Sequence, residues 1–180
     1  MHQAQRIFFA HGQESGPWGN KIQALAAIAE SYGLAVTSPD YSDIRDDAEA
    51  RADRLAGLLE QEPGPVVLAG SSMGAWVSVR EAVRTNVAGL FLLAPALSLP
   101  GHRSLELPGP AVPSVLVHGW QDDIVPVEQS ITAARAAGSE LLLVRDGHRL
   151  QEALPRVEAA FRAFLDGLGL GSGVGEAGAN

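Results

Sequence analysis

Pro65-Val66-Val67-Leu68-Ala69-Gly70-Ser71-Ser72-Met73-Gly74, followed by the helix-like stretch Ala75 to Arg84, decides the fold. The apolar run reads as a strand. The G-x-S-x-G pentapeptide at its end turns the chain sharply into a helix and leaves Ser72, not Ser71, at the apex. Such a turn strains the serine backbone and brings main chain close on both sides, which favours residues without Cβ at positions 70 and 74. The hydroxyl is then held clear of the sheet at the positive end of a helix, the placement of an activated nucleophile. The competing reading is a small residue that merely permits a tight turn.

The runs around this one have the same character. Ile7 to Ala10, Leu34 to Thr37, Leu90 to Ala94, Val115 to Val117 and Leu141 to Val144 are apolar almost throughout. Strands buried on both faces look like this, whereas half-exposed antiparallel strands alternate apolar with polar. The pattern predicts an α/β fold, a three-layer sandwich with a mostly parallel sheet of about six strands and helices on both faces. Between the strands, Lys21 to Tyr32 carries apolar residues at helical spacing and ends at Gly33, well placed as the residue after a helix. Asp46 to Gln61 does the same and is stopped by Pro63-Gly64-Pro65. Val127 to Ala137 reads as a further helix, and Leu150 to Leu165 as the last, either kinked or with its true start near Pro155 because proline suits only a first turn. Pro95 to Pro113 reads as a long irregular connection.

Composition bounds what the chain can do. At 180 residues it suits one domain, placed at 1–166, with a glycine-rich tail over 167–180 expected to stay frayed. With 46% hydrophobic and 19% charged residues it has an ordinary globular composition. No apolar run approaches the ~18 residues that span a membrane. Four apolar residues from Ile7 to Ala10 are too few for a signal-peptide core, so cytoplasmic residence is the expectation. A net charge of −8 without a basic cluster argues against nucleic-acid partners. The absence of cysteine excludes disulfides, thiolate catalysis and Cys-ligated zinc. No two histidines share the i, i+4 spacing of a helical zinc site, and no metal is expected.

Ser72 needs a base, and the base needs an acceptor that fixes its tautomer. In a parallel sheet all strands end on one edge, so the residues just after each apolar run are those that can meet. Val115 to Val117 is followed by His118-Gly119-Trp120-Gln121-Asp122-Asp123-Ile124-Val125-Pro126, which puts two carboxylates beyond a strand end. Leu141 to Val144 is followed by Arg145-Asp146-Gly147-His148, which adds an imidazole. One oxyanion donor is expected from the Met73 N–H, directly after the nucleophile.

Taken together, His11-Gly12, the elbow, His118-Gly119 with Asp122 and Val125-Pro126, and Gly147-His148 resemble the α/β-hydrolase superfamily, in particular its compact, capless esterases and thioesterases. The likeness covers nearly all of residues 6–166. It implies a minimal version of that fold which begins at the usual third strand, leaving six strands. It also implies a Ser72, Asp122, His148 triad: Asp122 lies three residues after the glycine of the His-Gly pair and four before the proline, and Asp123 satisfies neither spacing. By the same resemblance Gln13 supplies the second oxyanion donor. His11 and His118, each before a glycine at a strand end, suit backbone shaping better than proton transfer, and His102 is expected exposed.

The expected activity is a serine hydrolase that cleaves carboxylic esters or thioesters through an acyl-enzyme, with no cofactor and a small acyl substrate as partner. The alternatives are a non-catalytic binding or scaffold protein on a hydrolase fold, or an amide or peptide hydrolase. Trp18 and Trp120 are candidate substrate-binding residues, while Trp76, inside the helix after the elbow, is assigned to the core. The stretch Leu97 to Leu107 stands where larger relatives carry a cap, which predicts an open site. An edge strand left free by the missing pair could support a homodimer.

Overall fold

All the strand pairings are parallel. In the computed structural model, which describes residues 3–171, one six-stranded sheet runs in the order β2-β1-β3-β4-β5-β6. The strands are β1 (Arg6–Ala10), β2 (Ala35–Thr37), β3 (Val66–Ser71), β4 (Val87–Leu93), β5 (Ser114–Gly119) and β6 (Glu140–Val144). The helices are α1 (Asn20–Ser31), α2 (Ala48–Leu59), α3 (Met73–Ala82), α4 (Val127–Ala137) and α5 (Leu154–Gly167). A short 3-10 turn, Ser42–Ile44, precedes α2 and was not anticipated from sequence. The sheet holds no antiparallel strand among the described residues, as expected for a chain starting at the usual third strand.

Alternate residues of each strand enter opposite cores. Ile7 and Phe9 of β1, Val67 and Ala69 of β3, and Phe91 of β4 pack with α1 and α5, while Phe8, Leu68, Leu90 and Leu92 pack with α2, α3 and α4. Burial on both faces is why these strands lack polar alternation. In the first layer Phe161 sets its ring edge-on to Phe91 at 4.9 Å between centroids. In the second, Trp76 is fully buried, as its place in the helix predicts, and its indole N–H donates to the Arg103 carbonyl at 3.3 Å. Asp47 caps α2 by accepting from the Ala50 N–H at 2.9 Å.

Two segments follow the sequence reading and a third departs from it. The last helix starts at Leu154 with Pro155 in its first turn, so Leu150 lies outside it. From Pro95 to Pro113 there is no helix or strand, yet Leu97, Leu105 and Leu107 are buried against the second core. The connection is therefore anchored by its leucines rather than by backbone periodicity. At the C-terminus Gly167 still belongs to α5. The Leu170 N–H donates to the Leu165 carbonyl and the Gly169 N–H to the Asp166 carbonyl, at 3.1 and 2.9 Å, closing the helix and burying Leu170. The packed chain thus passes the expected limit at 166; the remainder of the predicted tail, 172–180, lies outside the described residues.

Candidate active site

The elbow forms as its glycines require. Ser72 adopts φ 54°, ψ −120°, a left-handed conformation that L-residues seldom take, between β3 and α3. A Cβ on Gly74 would come within 1.9 Å of the Ala10 carbonyl oxygen, and one on Gly70 within 2.4 Å of the Gly74 oxygen. Both obstacles are backbone, so neither can turn aside. The Ser72 N–H donates to the Leu93 carbonyl at 2.9 Å, which ties the apex to the end of β4. Ala94 and Leu150, the other non-glycine residues with positive φ, also lie in loops just beyond strand ends. Strain of this kind collects where a fold over-determines its loops.

Parallel pairing then gathers the remaining loops on the same edge. Ala10 pairs with Gly70, Ser71 with Leu93, Leu93 with Val117 and Gly119 with Val144, so the chain leaves β1, β3, β5 and β6 beside one another. Gly119 lets the β6 loop lie directly on the β5 loop, since a Cβ there would meet the Asp146 carbonyl oxygen at 2.2 Å. The Trp120 N–H to Val144 O and Gln121 N–H to Asp146 O bonds, at 2.9 and 3.0 Å, hold the two loops in register.

Across these loops three predicted side chains meet. His148 Nδ1 lies 2.7 Å from Asp122 Oδ2, and His148 Nε2 lies 3.1 Å from Ser72 Oγ. Asp122 only accepts, so Nδ1 carries the proton and Nε2 is left to receive the serine hydroxyl hydrogen. The other oxygen, Asp122 Oδ1, accepts from the Ile124 and Val125 N–H groups at 2.9 and 2.8 Å. Burial works to raise the Asp122 pKa, but the Val125 N–H, His148 and the Ile124 N–H outweigh it and hold the carboxyl below its ordinary range. Asp123 is exposed and stands outside the chain of bonds.

His118 does more than shape backbone. It is fully buried, and its Nε2 lies 3.0 Å from Asp122 Oδ2 and 3.0 Å from the Val125 carbonyl oxygen. Both neighbours are acceptors, so Nε2 carries the hydrogen. Nδ1 then accepts from the Ser130 hydroxyl at 2.7 Å. Burial pushes the His118 pKa below its ordinary value and keeps the ring neutral. Asp122 Oδ2 thus accepts from His148 and lies 3.0 Å from a second imidazole N–H, which His118 shares with the Val125 carbonyl. The glycine after His118 signals the strand end; no sequence signal marks its side chain as a partner of the acid.

His11 is likewise buried with its pKa lowered by burial. Its Nδ1 donates to the Gly12 carbonyl at 2.8 Å and its Nε2 accepts the Tyr41 N–H at 3.2 Å, which leaves no nitrogen for proton transfer. Arg51, fully buried in α2, donates from Nη1 to the His11 carbonyl at 2.9 Å and lies over the Tyr41 ring at 5.1 Å. It anchors the β1 exit from below, a role invisible in a helix read only for its apolar face. His102 is half-buried rather than exposed, edge-on to Trp76 at 5.2 Å between centroids.

A cleft of about 400 Å³ opens over Ser72 and His148, lined among others by Gly12, Gln13, Lys21 and Ile124. Gly12 sits against Ser72, its virtual Cβ 3.5 Å from Ser72 Cβ. Among the described residues the N–H groups of Gln13 and Met73 have no backbone acceptor, so both remain free for an incoming oxygen. Gln13 is further fixed by its side-chain amide, which donates to Asp46 at 2.7 Å. Trp18 and Trp120 do not line the cleft; both are about half exposed, at 49% and 56%. Their loops reach the right edge of the sheet, but the rings stay outside the cleft, whose apolar lining comes from Ile22 and from Ile124, itself 66% exposed. Among the described residues no cluster of His, Asp or Glu could hold a metal ion, and no helix is long and apolar enough to cross a membrane.

A serine apex, an imidazole and a buried carboxylate bonded in line at the carboxyl edge of a parallel sheet define a hydrolase-type site. The chain belongs to the alpha/beta hydrolase family, whose model matches residues 7–171. It is similar to the crystal structure of a putative hydrolase of the alpha/beta superfamily from Xanthomonas campestris, with 35% identity, a TM-score of 0.85, and 91% of this chain and 99% of that one covered. The fold is shared by Est1E from Butyrivibrio proteoclasticus, at 17% identity and TM-score 0.78 over 92% of this chain and 88% of that one. A thermophilic esterase from Thermogutta terrifontis shares it at 20% identity and TM-score 0.72, covering 92% and 91%. No curated protein matches the sequence.

Proposed function

We propose that the protein is a serine hydrolase acting on carboxylic esters or thioesters. The observation that carries this reading is the bonded line from Ser72 Oγ through His148 to Asp122 Oδ2, at 3.1 and 2.7 Å, opening on a cleft. Ser72 Oγ attacks the acyl carbon while His148 Nε2 takes its proton, and Asp122 holds the imidazole in the required tautomer and stabilises its cation. The Met73 and Gln13 N–H groups receive the oxyanion. His148 then passes the proton to the leaving alcohol or thiol. Water, activated by the same imidazole, releases the acid and restores Ser72.

A fluorophosphonate probe followed by intact and peptide mass measurement tests the assignment. One adduct is expected on Ser72, together with loss of at least about 10⁴-fold in kcat for Ser72→Ala on small acyl esters. An adduct on another serine, or turnover that survives Ser72→Ala, overturns it.

A further inference from the structure

Lys21 is the only lysine among the thirteen Lys and Arg residues of the chain. It lies in the first turn of α1 and lines the same cleft as Ser72 and His148. A role in holding the fold does not account for it. A cation in a helix's first turn opposes the macrodipole. Among the described residues its ammonium makes no hydrogen bond, and Asp146 and Asp122 act on it only through space. Both carboxylates are already engaged: Asp146 accepts from the Gly147 and Ala153 N–H groups at 2.7 and 2.8 Å, and Asp122 accepts from backbone and His148, with His118 beside it. Burial brings the Lys21 amine down to about 8. A partly desolvated ammonium without a partner is unfavourable in the empty cleft and gains most from an arriving anion. Arg149, exposed on the same cleft, adds a second positive charge near enough to repel Lys21. Glu14 is the exposed carboxylate among the lining residues and makes no ion pair with either cation among the described residues.

We propose that Lys21, flanked by Arg149, forms an anion subsite of the cleft, so that the ester or thioester substrate carries a carboxylate away from the reacting carbon. This rests on the serine hydrolase reading and specifies its substrate class. The lysine stem packs along the cleft wall while its ammonium meets the carboxylate, which both selects the substrate and sets its direction relative to Ser72.

The test compares four esters in two pairs at low ionic strength: the 4-nitrophenyl monoester of glutaric acid against 4-nitrophenyl butyrate, and the butyrate ester of 4-hydroxybenzoic acid against that of its uncharged methyl ester. Wild type should favour one charged ester over its neutral counterpart by at least about tenfold in kcat/KM, and the arm that shows it locates the anion on the acyl or the leaving side. In Lys21→Met this ratio should fall toward one, in Arg149→Gln it should fall less, and Lys21→Arg should retain it. A binding readout separates this idea from the catalytic one: glutarate should raise the Tm of Ser72→Ala, and not that of the Ser72→Ala, Lys21→Met double variant. Glutarate stabilisation without turnover of any ester would overturn the hydrolase reading and leave the subsite standing. A wild-type ratio of one or less in both arms, or a ratio that Lys21→Met leaves intact, overturns the subsite.

Discussion

Replacing His118 by phenylalanine keeps a ring of similar size in a fully buried position and removes both nitrogens. Three groups lose a partner: Asp122 Oδ2 at 3.0 Å, the Val125 carbonyl at 3.0 Å and the Ser130 hydroxyl at 2.7 Å. The bond to the ionised carboxylate alone is worth about 1.5–3 kcal/mol, and each neutral group left buried costs about 1–3 kcal/mol. Stability to urea should therefore fall by at least about 3.5 kcal/mol. Activity separates positioning from scaffolding. If His118 holds Asp122 so that His148 faces Ser72, the carboxylate bond is felt in the transition state, and kcat/KM per active site falls about 10- to 100-fold at 1.4 kcal/mol per decade. Sites are counted by fluorophosphonate titration so that unfolded protein does not enter the rate. His118→Gln, whose amide N–H can reach the position of Nε2, should recover most of the rate. Unchanged kcat/KM in His118→Phe, alongside the lost stability, would refute the positioning role.

Other outcomes follow from the same geometry. Gly74→Ala forces a methyl into the Ala10 carbonyl and should cost about 3 kcal/mol or more, read by urea unfolding; a loss under about 1 kcal/mol would show that the elbow relaxes freely. Because burial lowers the pKa of both His11 and His118 below 6.5, the unfolded chain binds protons that the folded rings refuse. Unfolding free energy should thus be fully retained above pH 6.5 and decline as pH falls below it, and His118→Gln should flatten that slope; a pH-independent stability from pH 8 to 5 contradicts it. Phe161→Ala, deep in the layer of α1 and α5, should cost about 3–5 kcal/mol while leaving kcat per titrated site unchanged, since that ring does not itself line the cleft.

Along the chain alone, the residues of the candidate site and the sheet edge on which they gather could be read. Six apolar runs without alternation can be satisfied only by strands covered on both faces, and the glycines at 70 and 74 are required wherever main chain passes within a Cβ radius of main chain. Those facts are local, and so Ser72 and its strand-to-helix setting were legible along the chain. The spacing of Asp122 between His118-Gly119 and Pro126 was legible too, through resemblance. Tertiary structure alone decided how the loops face one another. β1 lies between β2 and β3, so the loop carrying Gln13 and Lys21 meets residues more than 50 positions away, and no periodicity records where its side chains point. For that reason Trp18 and Trp120, on the right loops, stay outside the cleft, while Ile124 and Lys21 line it. His148 was set apart from His118 by resemblance alone, and nothing along the chain marked His118 as a neighbour of the acid. Burial beneath Asp122 fixed one as a neutral donor, and contact with Ser72 left the other free to take a proton.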